Sequence, residues 1–230
     1  GSTIVLHQGE PTLIWVINRS VEPTAIHWHG MELESPYDGV VGVGGYDGSP
    51  TPTIMPGDSF EVRMTPPRAG TFMYHTHVND IHQLRGGLWA PMLVLPPGAT
   101  QDPAHDLAFI FGEGPRNLVL PLRLQHLGAI PLVAGGRYRV RLMNVSAGTP
   151  NLVYTLSGES GTVLWTPVAR DGFDLPAWQR TPRQAEEAIT IGETMDFEFV
   201  APPAGPFGLE FRTGAGVVLV RQPFTIGKGP

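Results

Sequence analysis

The sequence predicts an all-β protein built from two tandem sandwich domains, and three observations predict it. Short runs of β-branched and aromatic residues recur along the chain, separated by turn-forming residues. Gly 29 and Pro 24 are both abundant without a Gly-X-Y period, which marks many short strands joined by tight turns. The second half of the chain also repeats the first. Gly9-Glu10-Pro11-Thr12-Leu13-Ile14-Trp15-Val16-Ile17-Asn18 is matched by Gly135-Gly136-Arg137-Tyr138-Arg139-Val140-Arg141-Leu142-Met143-Asn144, and Gly57-Asp58-Ser59-Phe60 by Gly192-Glu193-Thr194-Met195. Pro66-Pro67-Arg68-Ala69-Gly70 is echoed by Pro202-Pro203-Ala204-Gly205. The expected domains are residues 1–98 and 105–230, with a Pro- and Gly-containing linker at 99–104.

Each element follows from its local pattern. Residues 3–7 and 13–18 read as strands flanking a Gly9-Glu10-Pro11 turn. The next strand carries Ala25-Ile26-His27-Trp28-His29. Residues 35–55 are rich in Gly and Pro and predict an irregular loop. In Phe60-Glu61-Val62-Arg63-Met64 apolar and charged residues alternate, the period of a half-buried strand. A strand is expected over 72–77, a loop or short helical turn over 79–85, and an apolar closing strand over 88–95. No stretch keeps a helical period over several turns, although residues 185–190 are expected to hold a short turn of helix.

The bulk numbers exclude several classes. Hydrophobic residues make up 41% and charged residues 16%, which fits a folded chain and not a disordered one. The net charge is -6 and no dense Lys/Arg block is present, so neither nucleic acid nor an anionic membrane is an expected partner. No apolar run is long enough to span a bilayer, and no signal peptide is visible at Gly1-Ser2. The chain has no cysteine. A blue-copper centre built on His and Cys therefore cannot form within these residues.

Four of the eight histidines stand in two His-x-His pairs, His27/His29 and His75/His77. Side chains alternate along a strand, so each pair points to one face. Two neighbouring strands would then present four imidazoles together, suited to copper, zinc, iron or nickel. Packing without metal is the plainer alternative. His82 is an auxiliary candidate or lies near the site, although a loop histidine is usually just solvated, whereas His7, His105 and His126 read as surface or packing residues. Carrying the repeat offsets forward puts Val153, Thr155, Glu210 and Arg212 at the four histidine positions in the second half. The seven methionines are scattered and read as core fillers. Asn144-Val145-Ser146 has the form of a glycosylation site at a strand end.

His27-Trp28-His29-Gly30, and Tyr74-His75-Thr76-His77 followed by Gly87-Leu88-Trp89-Ala90-Pro91-Met92-Leu93-Val94, resemble the first two copper motifs of the multicopper oxidases, laccase-like proteins. Residues 136–144, Asp171-Gly172 and Gly192-Glu193-Thr194-Met195-Asp196-Phe197 resemble that family's copper-free middle domain. The resemblance implies Greek-key, cupredoxin-like sandwiches and copper as the metal. It implies His27 as a type 2 copper ligand, and His29, His75 and His77 as type 3 ligands. It also implies that Asp38, in Tyr37-Asp38-Gly39, relays protons to reduced oxygen.

The family's other two motifs, its type 1 copper ligands and a third domain are missing. The implied function is half of a type 2/type 3 cluster for oxidising phenol-like or metal-ion substrates, with dioxygen and a small reducing substrate as partners. Enzyme activity would require completion by a missing domain, a partner or a second copy. The alternatives are a non-catalytic copper-binding or structural module, and a homo-oligomer holding a type-3-like dicopper site between chains. The resemblance also implies an extracytoplasmic, periplasmic or secreted, location.

Overall fold

A computed structural model describes residues 1–43, 50–114, 128–159 and 161–227, and the backbone alone of 119–121. The chain divides into two compact units, Gly1–Thr100 and Gln101–Pro230. His126 and residues 44–49 of the expected loop lie outside the described residues.

The first unit contains β1 (Ile4–His7), β2 (Thr12–Ile17), β3 (Ile26–His29), β4 (Ser59–Met64), β5 (Gly70–Thr76), a short helix α1 (Asp80–Arg85) and β6 (Trp89–Leu95). One sheet runs in the order β1-β6-β5-β3, and β2 pairs with β4 in a second. The β1–β6 pair is parallel, whereas β6–β5, β5–β3 and β2–β4 are antiparallel. Alternation decides which side chains enter the core. Trp28, Val62, Met64, Phe72, Met92 and Val94 are buried together, with Ile14, Val16 and Phe60 packed against them. Burying each large apolar side chain contributes about 1.5–3 kcal/mol.

The second unit repeats this plan with more strands. They are β7 (Asp106–Glu113), β8 (Val119–Pro121), β9 (Ile130–Val133), β10 (Arg137–Asn144), β11 (Leu152–Gly158), β12 (Gly161–Thr162), β13 (Leu164–Arg170), β14 (Phe173–Asp174), β15 (Arg183–Gln184), β16 (Glu186–Ile189), β17 (Thr194–Val200), β18 (Phe207–Thr213) and β19 (Val218–Gly227). One sheet is ordered β14-β13-β17-β10-β7-β8 and the other β12-β11-β18-β19-β9, with β15 on β13 and β16 on β11. Phe109, Phe111, Trp165, Phe197, Phe207 and Phe211 lie in its core.

Two expectations need correction. Residues 185–190 hold strand β16 and not a helical turn. Its register sets Leu152 against Ile189 and Thr155 against Glu186, so an open strand edge outweighs weak local helical preference. The second-half counterparts of the histidines also shift. Gly70-Thr71-Phe72 aligns with Gly205-Pro206-Phe207, which leaves Glu210 and Arg212 opposite the expected positions. The register pairs His27 with His75 but Thr155 with Glu210. Thr155 and Ser157, not Val153 and Thr155, therefore stand where His27 and His29 stand. The loop before β11 is two residues longer, and a slip of two keeps the same face. Glu210 forms ion pairs with Arg212 and Arg221 there.

The repeated asparagines do the same work in both units. Asn18 Nδ2 donates to the carbonyls of Glu22 and Ile54, and its Oδ1 accepts from Ser20 N–H. Asn144 Nδ2 donates to Thr149 and Ile189, and its Oδ1 accepts from Ser146 N–H. Asn144 is fully buried, so it closes a loop and is not placed to carry a glycan.

Candidate metal centre

β3 and β5 lie side by side, with His27 directly opposite His75 and His29 opposite Met73. His77 follows the last residue of β5, and its N–H donates to the Ala25 carbonyl over 3.0 Å. Trp28 points to the other face, where it is buried against Tyr74 with ring centroids 5.9 Å apart. The alternation thus sends indole to the core and imidazoles to the opposite face. The His27 ring centroid lies 5.3 Å from His29, 5.3 Å from His75 and 5.6 Å from His77. Candidate ligand atoms of His27, His29 and His75 all fall within 4.8 Å of one another. His77 adjoins this tighter group of three, 6.0 Å from His75 between centroids.

Hydrogen bonds set which nitrogens can face a metal. His27 Nδ1 lies 2.8 Å from the Asp38 main-chain carbonyl. A carbonyl only accepts, so Nδ1 carries the proton and Nε2 keeps its lone pair. His75 Nδ1 donates in the same way to the Thr76 carbonyl over 2.7 Å. His75 Nε2 then lies 3.2 Å from His29 Nδ1. Two nitrogens bound to one tetrahedral ion at about 2.0 Å would be about 3.3 Å apart, so this pair fits one ion. Burial pushes the His75 pKa down to about 4, with the neighbouring imidazoles adding and the Thr76 hydrogen bond opposing. The ring is therefore neutral at pH 7, the state that ligates metal.

Asp38 lies beside His27, its Oδ2 3.4 Å from Nδ1. The following glycine explains the Asp-Gly sequence. Gly39 has φ +85°, and a Cβ there would sit 1.8 Å from the Ile26 carbonyl oxygen. Only glycine lets this loop lie against β3 and present the Asp38 carbonyl to His27.

The remaining described histidines, His7, His82 and His105, have other partners. His82 Nδ1 faces Glu22 Oε2 at 3.3 Å, and the side chain is largely exposed. His7 bonds to the Ala99 carbonyl, and His105 stacks on Tyr138 and pairs with Asp102. Sequence reasoning missed Gln83, Thr24 and Thr76, whose hydrogen-bonded cluster lies behind the histidine strands. The only local signal was a polar residue between two candidate ligands.

Residues 1–99 match the family model described as multicopper oxidase. The chain is 34% identical over 99 residues to the multicopper oxidase MmcO of Mycobacterium tuberculosis, covering 42% of this chain and 17% of that protein. It is 29% identical over 186 residues to Laccase-12 of Oryza sativa subsp. japonica, covering 76% of this chain and 27% of that protein. The crystal structure of a multicopper oxidase from Pseudomonas thermotolerans superposes with a TM-score of 0.77 at 25% identity, covering 99% of this chain and 56% of that one. The chain thus spans about half of that solved structure and 17–27% of those two curated relatives. Its fold is the cupredoxin-like β-sandwich, and its first domain, residues 1–99, matches the multicopper oxidase family.

Proposed function

We propose that His27, His29, His75 and His77 bind copper and supply half of a type 2/type 3 cluster, used in dioxygen-coupled oxidation of phenol-like or metal-ion substrates. The observation that carries this reading is the gathering of four imidazoles on one face of β3 and β5, with His27 and His75 each anchored through Nδ1. Copper, when bound, supplies one-electron chemistry that redox-inert zinc does not. His27 and His29 come from one strand and His75 from its neighbour, so the sheet fixes their spacing. Asp38 adds a carboxylate at His27 that can hold and pass a proton, which oxygen reduction consumes. Type 1 copper ligands and the rest of the cluster would come from outside these residues, from another domain, a partner or a second copy. The family supports an extracytoplasmic location, and no helix among the described residues is long and apolar enough to cross a membrane.

Copper titration into metal-free protein tests this, followed by electron paramagnetic resonance, solution mass and oxygen uptake with a phenol. The expected result is Cu(II) binding that His27→Ala abolishes. Copper-driven dimerisation with oxygen uptake would assign the missing half to a second copy. Tight copper without turnover, even with a complementing domain present, would leave a non-catalytic module. Wild-type protein that binds no copper would overturn the proposal.

A further inference from the structure

We infer that Gln83 is a positioning residue for the imidazole cluster, acting through Thr24 and Thr76 on the strand ends that carry His27, His75 and His77. The inference rests on the copper reading above. Gln83 lies on α1, six residues beyond His77, and its Nε2 donates to the Pro23 carbonyl over 2.8 Å. That carbonyl can only accept, which fixes the amide orientation. Gln83 Oε1 then faces two hydroxyls, accepting from Thr24 Oγ1 at 2.9 Å and from Thr76 Oγ1 at 2.5 Å. One hydroxyl comes from the segment entering β3 and the other from the last residue of β5, and they lie 3.5 Å apart.

Both threonines are buried, so losing their shared acceptor carries a desolvation cost that surface hydroxyls escape, although Thr76 Oγ1 also has the Val78 carbonyl within 3.1 Å. Their sequence positions give the contact its consequence. Thr76 stands between His75 and His77, and strand alternation turns its side chain away from theirs. Thr24 and Pro23 lead into β3, three and four residues before His27. One amide therefore ties the entry of β3 to the exit of β5 from behind the histidine face. His77 depends on this most. It lies past the last residue of β5, and the N–H bond to the Ala25 carbonyl is its main-chain link to the neighbouring strand. On its outer side α1 is tied to the same entry segment, where His82 and Asn79 both contact Glu22 Oε2.

The test uses the full 230-residue chain with Gln83→Leu, Thr76→Val, the double variant and Thr76→Ser. Cu(II) affinity is measured by competition with a chelator, and the bound ion by electron paramagnetic resonance. Gln83→Leu and Thr76→Val are each expected to weaken binding about 10–100-fold, the usual effect of losing an outer-shell partner, and to alter the Cu(II) hyperfine splitting. The double variant should lose less than the product of the two single losses, because both changes cut the Thr76–Gln83 bond. Thr76→Ser keeps the hydroxyl and should match wild type. Thermal unfolding of the metal-free proteins checks that each variant folds. Gln83 is only half-buried on a surface helix, so its variant carries the test if Thr76→Val does not fold. Wild-type affinity and spectrum in Gln83→Leu would sink the inference, as would losses that multiply in the double variant. Wild-type protein that takes no copper would instead overturn the copper reading itself.

Discussion

His29 Nδ1 and His75 Nε2 lie 3.2 Å apart, one from β3 and one from β5. The His75 proton sits on Nδ1, held by the Thr76 carbonyl, so without metal His29 Nδ1–H donates to His75. For both nitrogens to hold one metal ion, His29 would have to carry its proton on Nε2 instead of Nδ1. The contact therefore trades one neutral hydrogen bond, worth about 1 kcal/mol, for two metal bonds. His29→Ala or His75→Ala should weaken Cu(II) binding by more than the roughly 100-fold upper range for losing an outer-shell partner. Competition titration reads the loss, and near-wild-type affinity in either variant would place the ion elsewhere.

Gly39 bears on the same centre through the backbone. Gly39→Ala combines a left-handed φ with a Cβ 1.8 Å from the Ile26 carbonyl. Strain there costs about 1–3 kcal/mol, and the clash adds a further overpacking term of about 1–3 kcal/mol. The first domain should lose about 2–6 kcal/mol in urea unfolding. In whatever fraction folds, copper binding should weaken because the Asp38 carbonyl is pushed off His27. An unchanged midpoint would show that the loop can move aside without penalty.

These residues also show what could be read from sequence. The two His-x-His pairs were legible because strand alternation is local: spacing alone put His27 and His29 on one face and Trp28 on the other. The alternation of Phe60, Val62 and Met64 exposed the sandwich in the same way. Gly39 was not legible as a packing residue, since its contact with Ile26 depends on how a loop returns across the sheet. Gln83 was obscured for a similar reason, because its partners precede it by 7 and 59 residues. The positions matching His27 and His29 in the second half were misplaced by two, because a longer loop before β11 changes the register without changing the face. At residues 185–190 the free edge of β11 decided the outcome, and no local propensity encodes a neighbour's free edge.

The depressed pKa of His75 makes the metal-free protein sensitive to acid. In the unfolded chain an ordinary histidine titrates near 6.5, whereas folded His75 titrates at about 4 because it is buried. Between these values the unfolded state binds more protons, so stability falls as pH drops from about 6.5 to 4 and changes no further below that. The contribution is on the order of 3 kcal/mol. Urea midpoints of metal-free wild type and His75→Gln, measured from pH 7.5 to 4.5, isolate this slope. The variant should lose part of the acid dependence, and parallel curves would show that His75 titrates normally.

Asp38 separates two contributions that one residue makes at His27. Its main-chain carbonyl accepts from Nδ1 at 2.8 Å, while the carboxylate lies farther off at 3.4 Å and is partly exposed. The shorter, main-chain bond sets the tautomer, and a side-chain change leaves it intact. Asp38→Asn should therefore bind Cu(II) within about tenfold of wild type, below or at the lower edge of the outer-shell range. If the chain is completed by the domains that supply the rest of a cluster, the same variant should lose oxygen uptake far more than copper. An amide cannot take up the proton that a carboxylate passes at that position. Equal losses of copper and turnover would instead make the carboxylate a support for His27, with no separate part in proton movement.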